Sequence, residues 1–145
     1  MANTAAICTT FKAEVLRAEH KFSSSTGNAM TFALYYASGA LGASTSTYST
    51  TAEVTGTNYV AKGVALDMSN NPTTSGTVGY WTPGAAASWG TLSASAFDTA
   101  LLYNDTHAAD AAVAVYTFGS QTVTAGNFSL SMPAHTSAAA LLRIA

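Results

Sequence analysis

After residue 28 the apolar residues recur at every second position in short runs, and turn residues break those runs about every 8 to 12 positions. Successive side chains of a strand point to opposite faces, so this period asks for half-buried strands, and the spacing of the breaks is that of an all-β sandwich or barrel. The clearest alternation is "NFSLSM", with Phe128, Leu130 and Met132 facing inward and Ser129 and Ser131 outward. "AMTFALYY" sets Met30, Phe32, Leu34 and Tyr36 on one face and Thr31, Ala33 and Tyr35 on the other, so both faces call for cover. "AAVAVYTF" is apolar on both faces, as a strand in mid-sheet is. "GVALDM", "GTVGYW", "SWGTLSASAF", "TALLYN" and "AALLRI" supply further strands, and Thr124-Ala125-Gly126-Asn127 reads as a short hairpin turn leading into "NFSLSM".

One segment keeps a longer period. Ile7, Phe11, Val15 and Ala18 follow at steps of four, four and three, the spacing of one helix face, and Asn3 or Thr4 is placed to cap it. "SSSTGN" then ends the pattern, with Gly27 available for positive φ. The expected fold is mainly β: an antiparallel, jelly-roll-like β-sandwich with one N-terminal α-helix. It forms a single domain over residues 1–145, helix at about 4–20 and sandwich at about 29–145.

What would cover the outer faces of such strands is a question of composition. A chain of 145 residues buries roughly 70% of the surface its unfolded form exposes, enough for a normal core. Charged residues, however, make up 8% of the chain where about 25% is ordinary. Outward positions therefore fall to Ser, Thr, Ala, Asn and Gly, and a formal net charge of −2 sets up little repulsion between copies. A surface of this kind is expected to work covered by neighbours.

The same composition weighs against several functions. Lys12, Arg17 and Lys21 alternate with Glu14 and Glu19, which is a solvated helix face and no phosphate-binding patch, so no nucleic-acid partner is expected. Cys8 stands alone, which leaves no internal disulfide and no thiolate zinc site within one chain; its expected role is that of a small buried apolar residue. The opening residues lack the basic segment of a secretory signal, and the most apolar window is too short and too rich in Gly and Ser to span a membrane.

Catalytic chemistry needs titratable groups held together in a cleft. The densest polar cluster is "NDTHAAD", where Asp105, His107 and Asp110 could in principle hold a cation; its plainer reading is an exposed loop between strands. His20 and His135 are isolated, and neither a Gly-x-Ser-x-Gly elbow nor a Gly-x-x-x-x-Gly-Lys loop occurs. No catalytic, cofactor or metal residues are expected, and the chain is read as no enzyme. Tyr35, Tyr36, Tyr48, Tyr59, Tyr80, Trp81 and Trp89 could build a sugar-stacking platform, or instead fill a core and a subunit interface.

The order of several segments resembles a family of small virion structural proteins of tailed bacteriophages. The segments are "CTTFKAEVLRAEHKF", "FALYYASGALGASTSTYSTTAEVTGTNYVAKG", "TALLYN" and "AAVAVYTFG", and the most specific part runs from Tyr48 to Gly63, where Glu53, Val54, Gly56 and Tyr59 fill a Glu-Val-x-Gly-x-x-Tyr arrangement. Asn58 and Lys62 stand where that pattern would have glycine, and Asn tolerates the left-handed backbone region. The resemblance implies a non-enzymatic virion protein made in a host cytoplasm. Its first form is a capsid decoration or cement protein, a small homo-oligomer on the major capsid protein lattice; a tail or fibre-attachment component is the alternative, and a carbohydrate-binding module is the alternative from another class. Within "STSTYSTTAEVTGTNYVAKG", the expected contact residues are Tyr48, Glu53 and Tyr59. The two tyrosines pack on the domain or a neighbour, and Glu53 accepts hydrogen bonds that fix the turn.

Overall fold

In the computed structural model, which describes residues 2–145, the period-two runs become two antiparallel sheets in a sandwich-like arrangement, with one α-helix. The strands are β1 (Ala6–Ile7), β2 (Met30–Tyr36), β3 (Val64–Ala65), β4 (Thr73–Ser75), β5 (Val78–Trp81), β6 (Ala87–Asn104), β7 (Ala111–Leu130) and β8 (Leu142–Ile144), and helix α1 is Thr9–Leu16. The larger sheet has the order β1-β7-β6-β2-β3 and the smaller β4-β5-β8. Both faces of β2 are covered, as its sequence asks, and Phe32, Leu34, Tyr35, Leu101, Tyr103, Val113 and Val115 are among the deepest side chains of the core.

One long hairpin organises the larger sheet. "SWGTLSASAF" and "TALLYN" are not two strands but the 18-residue β6, and "AAVAVYTFG" runs unbroken into "NFSLSM" as the 20-residue β7. The hairpin turn expected at Thr124–Asn127 is a bulge. Between the pairs Leu92↔Gly126 and Ala94↔Val123, β7 carries one residue more than β6, and Ala125 takes φ 47° to absorb it. Thr91 and Ala96 do the same on β6, at φ 49° and 58°. Turn-type residues thus bend one ribbon where separate strands were expected.

The helix is shorter than the expected 4–20. Its start is Cys8, which gives no side-chain cap, while residues 6 and 7 are tied into the sheet through Ala6↔Val115 and Ile7↔Ala114. Asn3 is no cap: its side chain donates to the Tyr36 carbonyl and Asp98 and accepts from the Leu41 amide, stapling the N-terminal segment to the sheet. At the other end Ala18 turns left-handed (φ 60°), its amide donating to Val15 O and that of Glu19 to Glu14 O, which is a Schellman stop with Ala where Gly is usual. Only Phe11 of the helix is fully buried, with Val15 beside it on the core. The strand edge formed by β1 is what costs the helix its first turn.

Candidate functional site

The segment Ser44–Gly63 is an ordered arm laid across the larger sheet. Single bridges tie it to three strands in turn, Thr47↔Ala111 on β7, Tyr35↔Glu53 on β2 and Thr57↔Ser93 on β6. Val54 anchors it in the core, its amide donating to Leu34 O. The arm covers the free side of β2 beyond β3, and then the side of β6 where β2 has run out, so sheet edges that would otherwise recruit another strand are occupied.

Two glycines let the backbones approach. A Cβ on Gly56 would lie 2.1 Å from the Ser93 carbonyl oxygen, and one on Gly63 (φ 82°) 1.9 Å from that of Phe32. Asn58 and Lys62, the two positions where the resemblance leads one to look for glycine, have φ 61° and 77°. The left-handed backbone survives there because each residue is tied down. Asn58 Nδ2 donates to Thr91 O at 3.0 Å. The Lys62 amide donates to Glu53 Oε1 at 2.8 Å and its carbonyl accepts from the Tyr103 hydroxyl at 2.8 Å.

Glu53 is the centre of this arrangement. It is 4% exposed and accepts three hydrogen bonds: from the Tyr59 hydroxyl (2.9 Å) and the Lys62 amide on Oε1, and from the Tyr48 hydroxyl on Oε2. A carboxylate offers acceptors only, and here every partner is a donor. The Tyr59 oxygen also accepts from the Leu34 amide at 2.9 Å, which links the arm to β2 through one phenol. Tyr48 stacks on Tyr103 with ring centroids 5.0 Å apart. Burial, and then the Glu53 carboxylate, push the Tyr48 phenol up to about 12, and burial first holds those of Tyr35, Tyr59 and Tyr103 far above the ordinary range near 10.

Lys62 closes the site from outside. Its Nζ lies 3.0 Å from Asp105 Oδ1 and 3.0 Å from Asp110 Oδ2, and these two carboxylates hold the ammonium above its usual range. "NDTHAAD" is therefore the loop between β6 and β7, with its aspartates spent on Lys62 and His107 facing Glu19 at 3.4 Å. Sequence reasoning missed Asn104, which is fully buried and organises that loop: its Oδ1 accepts from the Thr106 and His107 amides, and its Nδ2 lies 3.2 Å from His20 Nδ1. His20 in turn sets Nε2 2.8 Å from Glu14, which joins α1 to the loop. The only signal was its place at the end of an apolar strand, where a polar residue must cap a turn.

The expected contact residues Tyr48, Glu53 and Tyr59 are thus brought together, and all three are turned inward on their own domain. Of the aromatic residues that could have formed a platform, Tyr35, Trp81 and Trp89 are buried and Tyr48 and Tyr59 have given their hydroxyls to Glu53. Among the described residues no three His, Cys, Asp or Glu side chains stand together as a metal would need, and no helix is long and apolar enough to cross a membrane. What the arrangement can do is mechanical: a carboxylate with three donors and an outer ion cluster locks an arm in place. Compared with protein-family models, curated proteins and solved structures, the chain matches none.

Proposed function

We propose that the protein is a non-enzymatic structural component of a phage particle, a decoration or cement protein that lies on the major capsid protein lattice as a small homo-oligomer. One observation carries the reading. From Ala87 to Phe97 and from Ala111 to Leu130 the β6–β7 ribbon contains no charged residue, and its outer face is Ser88, Thr91, Ser95, Thr122, Thr124 and Ser129, all exposed or partly so. Ser88 and Ser129 satisfy one another across it at 2.7 Å.

A neighbour can cover such a face without stranding a charge, which would cost several kcal/mol per ion. Contacts of this kind are weak singly and hold by repetition around closed symmetry. The locked arm supports the same role, since an ordered edge keeps copies from pairing at random. The resemblance of Tyr48–Gly63 to phage virion proteins supports the particle as the setting. Two ribbon variants test this, Ser95→Glu and Thr122→Lys, each placing a charge on an exposed position. Both are expected to fold as wild type and to fail to join purified particles, in which quantitative mass spectrometry is expected to count hundreds of wild-type copies. Copies in the tens, located by electron cryomicroscopy in the tail alone, replace the lattice with the tail or fibre base; normal incorporation of both charged variants removes the ribbon as the contact face.

A further inference from the structure

The geometry points to a second binding surface, a cleft between α1 and the small sheet that takes an extended, acid-flanked apolar segment of a partner protein along the free edge of β8. It does not depend on the particle reading, because it rests on another part of the molecule. The cleft has a volume of about 280 Å³ and is walled by Phe11 and Val15 of α1, Phe22 of the following loop, and Trp81, Leu142 and Ile144 of the small sheet. Phe22 and Trp81 meet at its base, with ring centroids 4.8 Å apart. The mouth is left open: Ile144 is 62% exposed, and a Cβ on Gly79, opposite Ile144 in the sheet, would meet nothing closer than the Ile144 carbonyl oxygen at 3.9 Å.

Charge decides the occupant. The chain has five cations, and Lys62 is spent on Asp105 and Asp110 at the other site. The remaining four belong to the elements around this cleft: Lys12 and Arg17 on or at the end of α1, Lys21 between the lining residues His20 and Phe22, and Arg143 on β8, itself a lining residue. Arg17 is held by Glu19. Among the described residues Lys12, Lys21 and Arg143 have no carboxylate within ion-pair distance, and Arg143 donates only to the carbonyls of Ala138 and Ser137. Arg143 lines the cleft, Lys12 and Lys21 adjoin its lining residues Phe11, His20 and Phe22 in sequence, and the nearby Glu14 is taken up by His20 at 2.8 Å, so the uncommitted charge on these elements is positive and attracts carboxylates.

The form of the occupant follows from the sheet. β8 is an edge strand, so its outer side offers a template for a strand to add to, with alternate side chains of the incoming segment entering the cleft and its acidic residues meeting Arg143, Lys12 and Lys21. A second copy of this chain is the poorer occupant. Antiparallel pairing of β8 with itself about a two-fold axis through Arg143 sets two guanidinium groups opposite each other, which destabilises a cross-strand pair.

The test is an array of alternating octapeptides, with the apolar positions varied among Val, Ile, Leu and Phe and the flanks among Asp/Glu, Ser and Lys/Arg, probed with the full chain. The selected peptide is then titrated into isotope-labelled protein. Acidic flanks are expected to bind at least about tenfold tighter than basic ones and to weaken with salt, with amide shifts concentrated at Gly79, Trp81 and Ile144. Arg143→Glu, an exposed change, lowers affinity about tenfold or more, and Gly79→Leu fills the cleft and abolishes binding. Selection of neutral or basic flanks, no binder in the array, a β8-mediated dimer in sedimentation, or shifts at these residues with dodecanoate or anionic vesicles alone would each overturn the proposal.

Discussion

Replacing Glu53 measures how much the arm depends on one carboxylate. Glu53→Ala removes the acceptor from three donors at once. Tyr48 is half-buried and its hydroxyl can turn to water, so its loss counts least. The Lys62 amide and the Tyr59 hydroxyl proton are left without partners, and each stranded buried donor costs about 1–3 kcal/mol, so the variant is expected to lose about 4 kcal/mol. That is a large part of the roughly 5–15 kcal/mol by which domains are stable. Glu53→Gln separates charge from shape. The amide oxygen can keep the Tyr59 and Lys62 bonds while its NH2 group faces a Tyr48 hydroxyl that can turn to accept, so only the charge assistance goes, at about 1–2 kcal/mol. Urea unfolding gives the totals, and hydrogen exchange gives the place: protection at the Lys62 amide should fall further than at β6 and β7. A Glu53→Ala cost under about 1 kcal/mol, or unchanged Lys62 protection, refutes the reasoning, because the donors would then have found other partners.

Three further outcomes follow from backbone and phenol geometry. Gly63→Ala forces a Cβ against the Phe32 carbonyl and is expected to cost more than about 4 kcal/mol, whereas Gly119→Ala, also at positive φ (78°) but with nothing within 4 Å, costs about 1; equal midpoints in urea would show that crowding is not the cause. Ala18→Gly relieves the left-handed helix stop at an exposed position and should raise the melting temperature by roughly 2–4 °C, a gain that an unchanged or lower value would deny. Burial, and then Glu53, push the Tyr48 phenol up to about 12 from an ordinary value near 10, and burial raises Tyr35, Tyr59, Tyr103 and Tyr116 further. Above pH 10 the unfolded chain has released phenolic protons that the folded chain retains, so stability is full below about pH 10 and falls as pH rises through 12; a urea midpoint constant from pH 8 to 11.5 contradicts this.

Much of this was written in the period-two runs, and the exceptions have a common origin. "AMTFALYY" and "AAVAVYTF" are apolar on both faces, and both became covered strands. Thr124-Ala125-Gly126-Asn127 looks like a turn because turn residues tolerate positive φ, but a bulge needs the same tolerance, and only the partner strand decides between them. Thr91 and Ala96 carry bulges with no glycine to announce them. Helix α1 is shorter than its apolar spacing because Ile7, which belongs to that spacing, is taken by β1 pairing with Ala114, a contact more than a hundred residues away. The arm was legible in kind: a lone acid among tyrosines and glycines, too well anchored for a linker. That both tyrosine hydroxyls would converge on Glu53 was not, since it depends on Tyr103 and Phe32 placing Lys62 and Gly63.

The placement of the few charges ties these features together. Glu53 sits under the arm, Lys62 binds it to the β6–β7 loop, and the ribbon stretches Ala87–Phe97 and Ala111–Leu130 carry no charge. The uncommitted cations lie on the elements around the cleft, Arg143 lining it and Lys12 and Lys21 next to lining residues in sequence. A neutral ribbon gives a neighbour little electrostatic reason to choose one register over another, because hydroxyls pair in many ways; a cleft lined by Arg143 and flanked by uncommitted lysines would supply direction, because opposite charges set orientation and approach rate more than they add affinity. On the two proposed roles, the ribbon would supply contact area and the cleft register. Neutralising the cleft cations should therefore leave a protein that still adheres by its ribbon but in mixed orientations, while charging the ribbon should leave one that still binds the acidic segment in solution but no longer covers a surface.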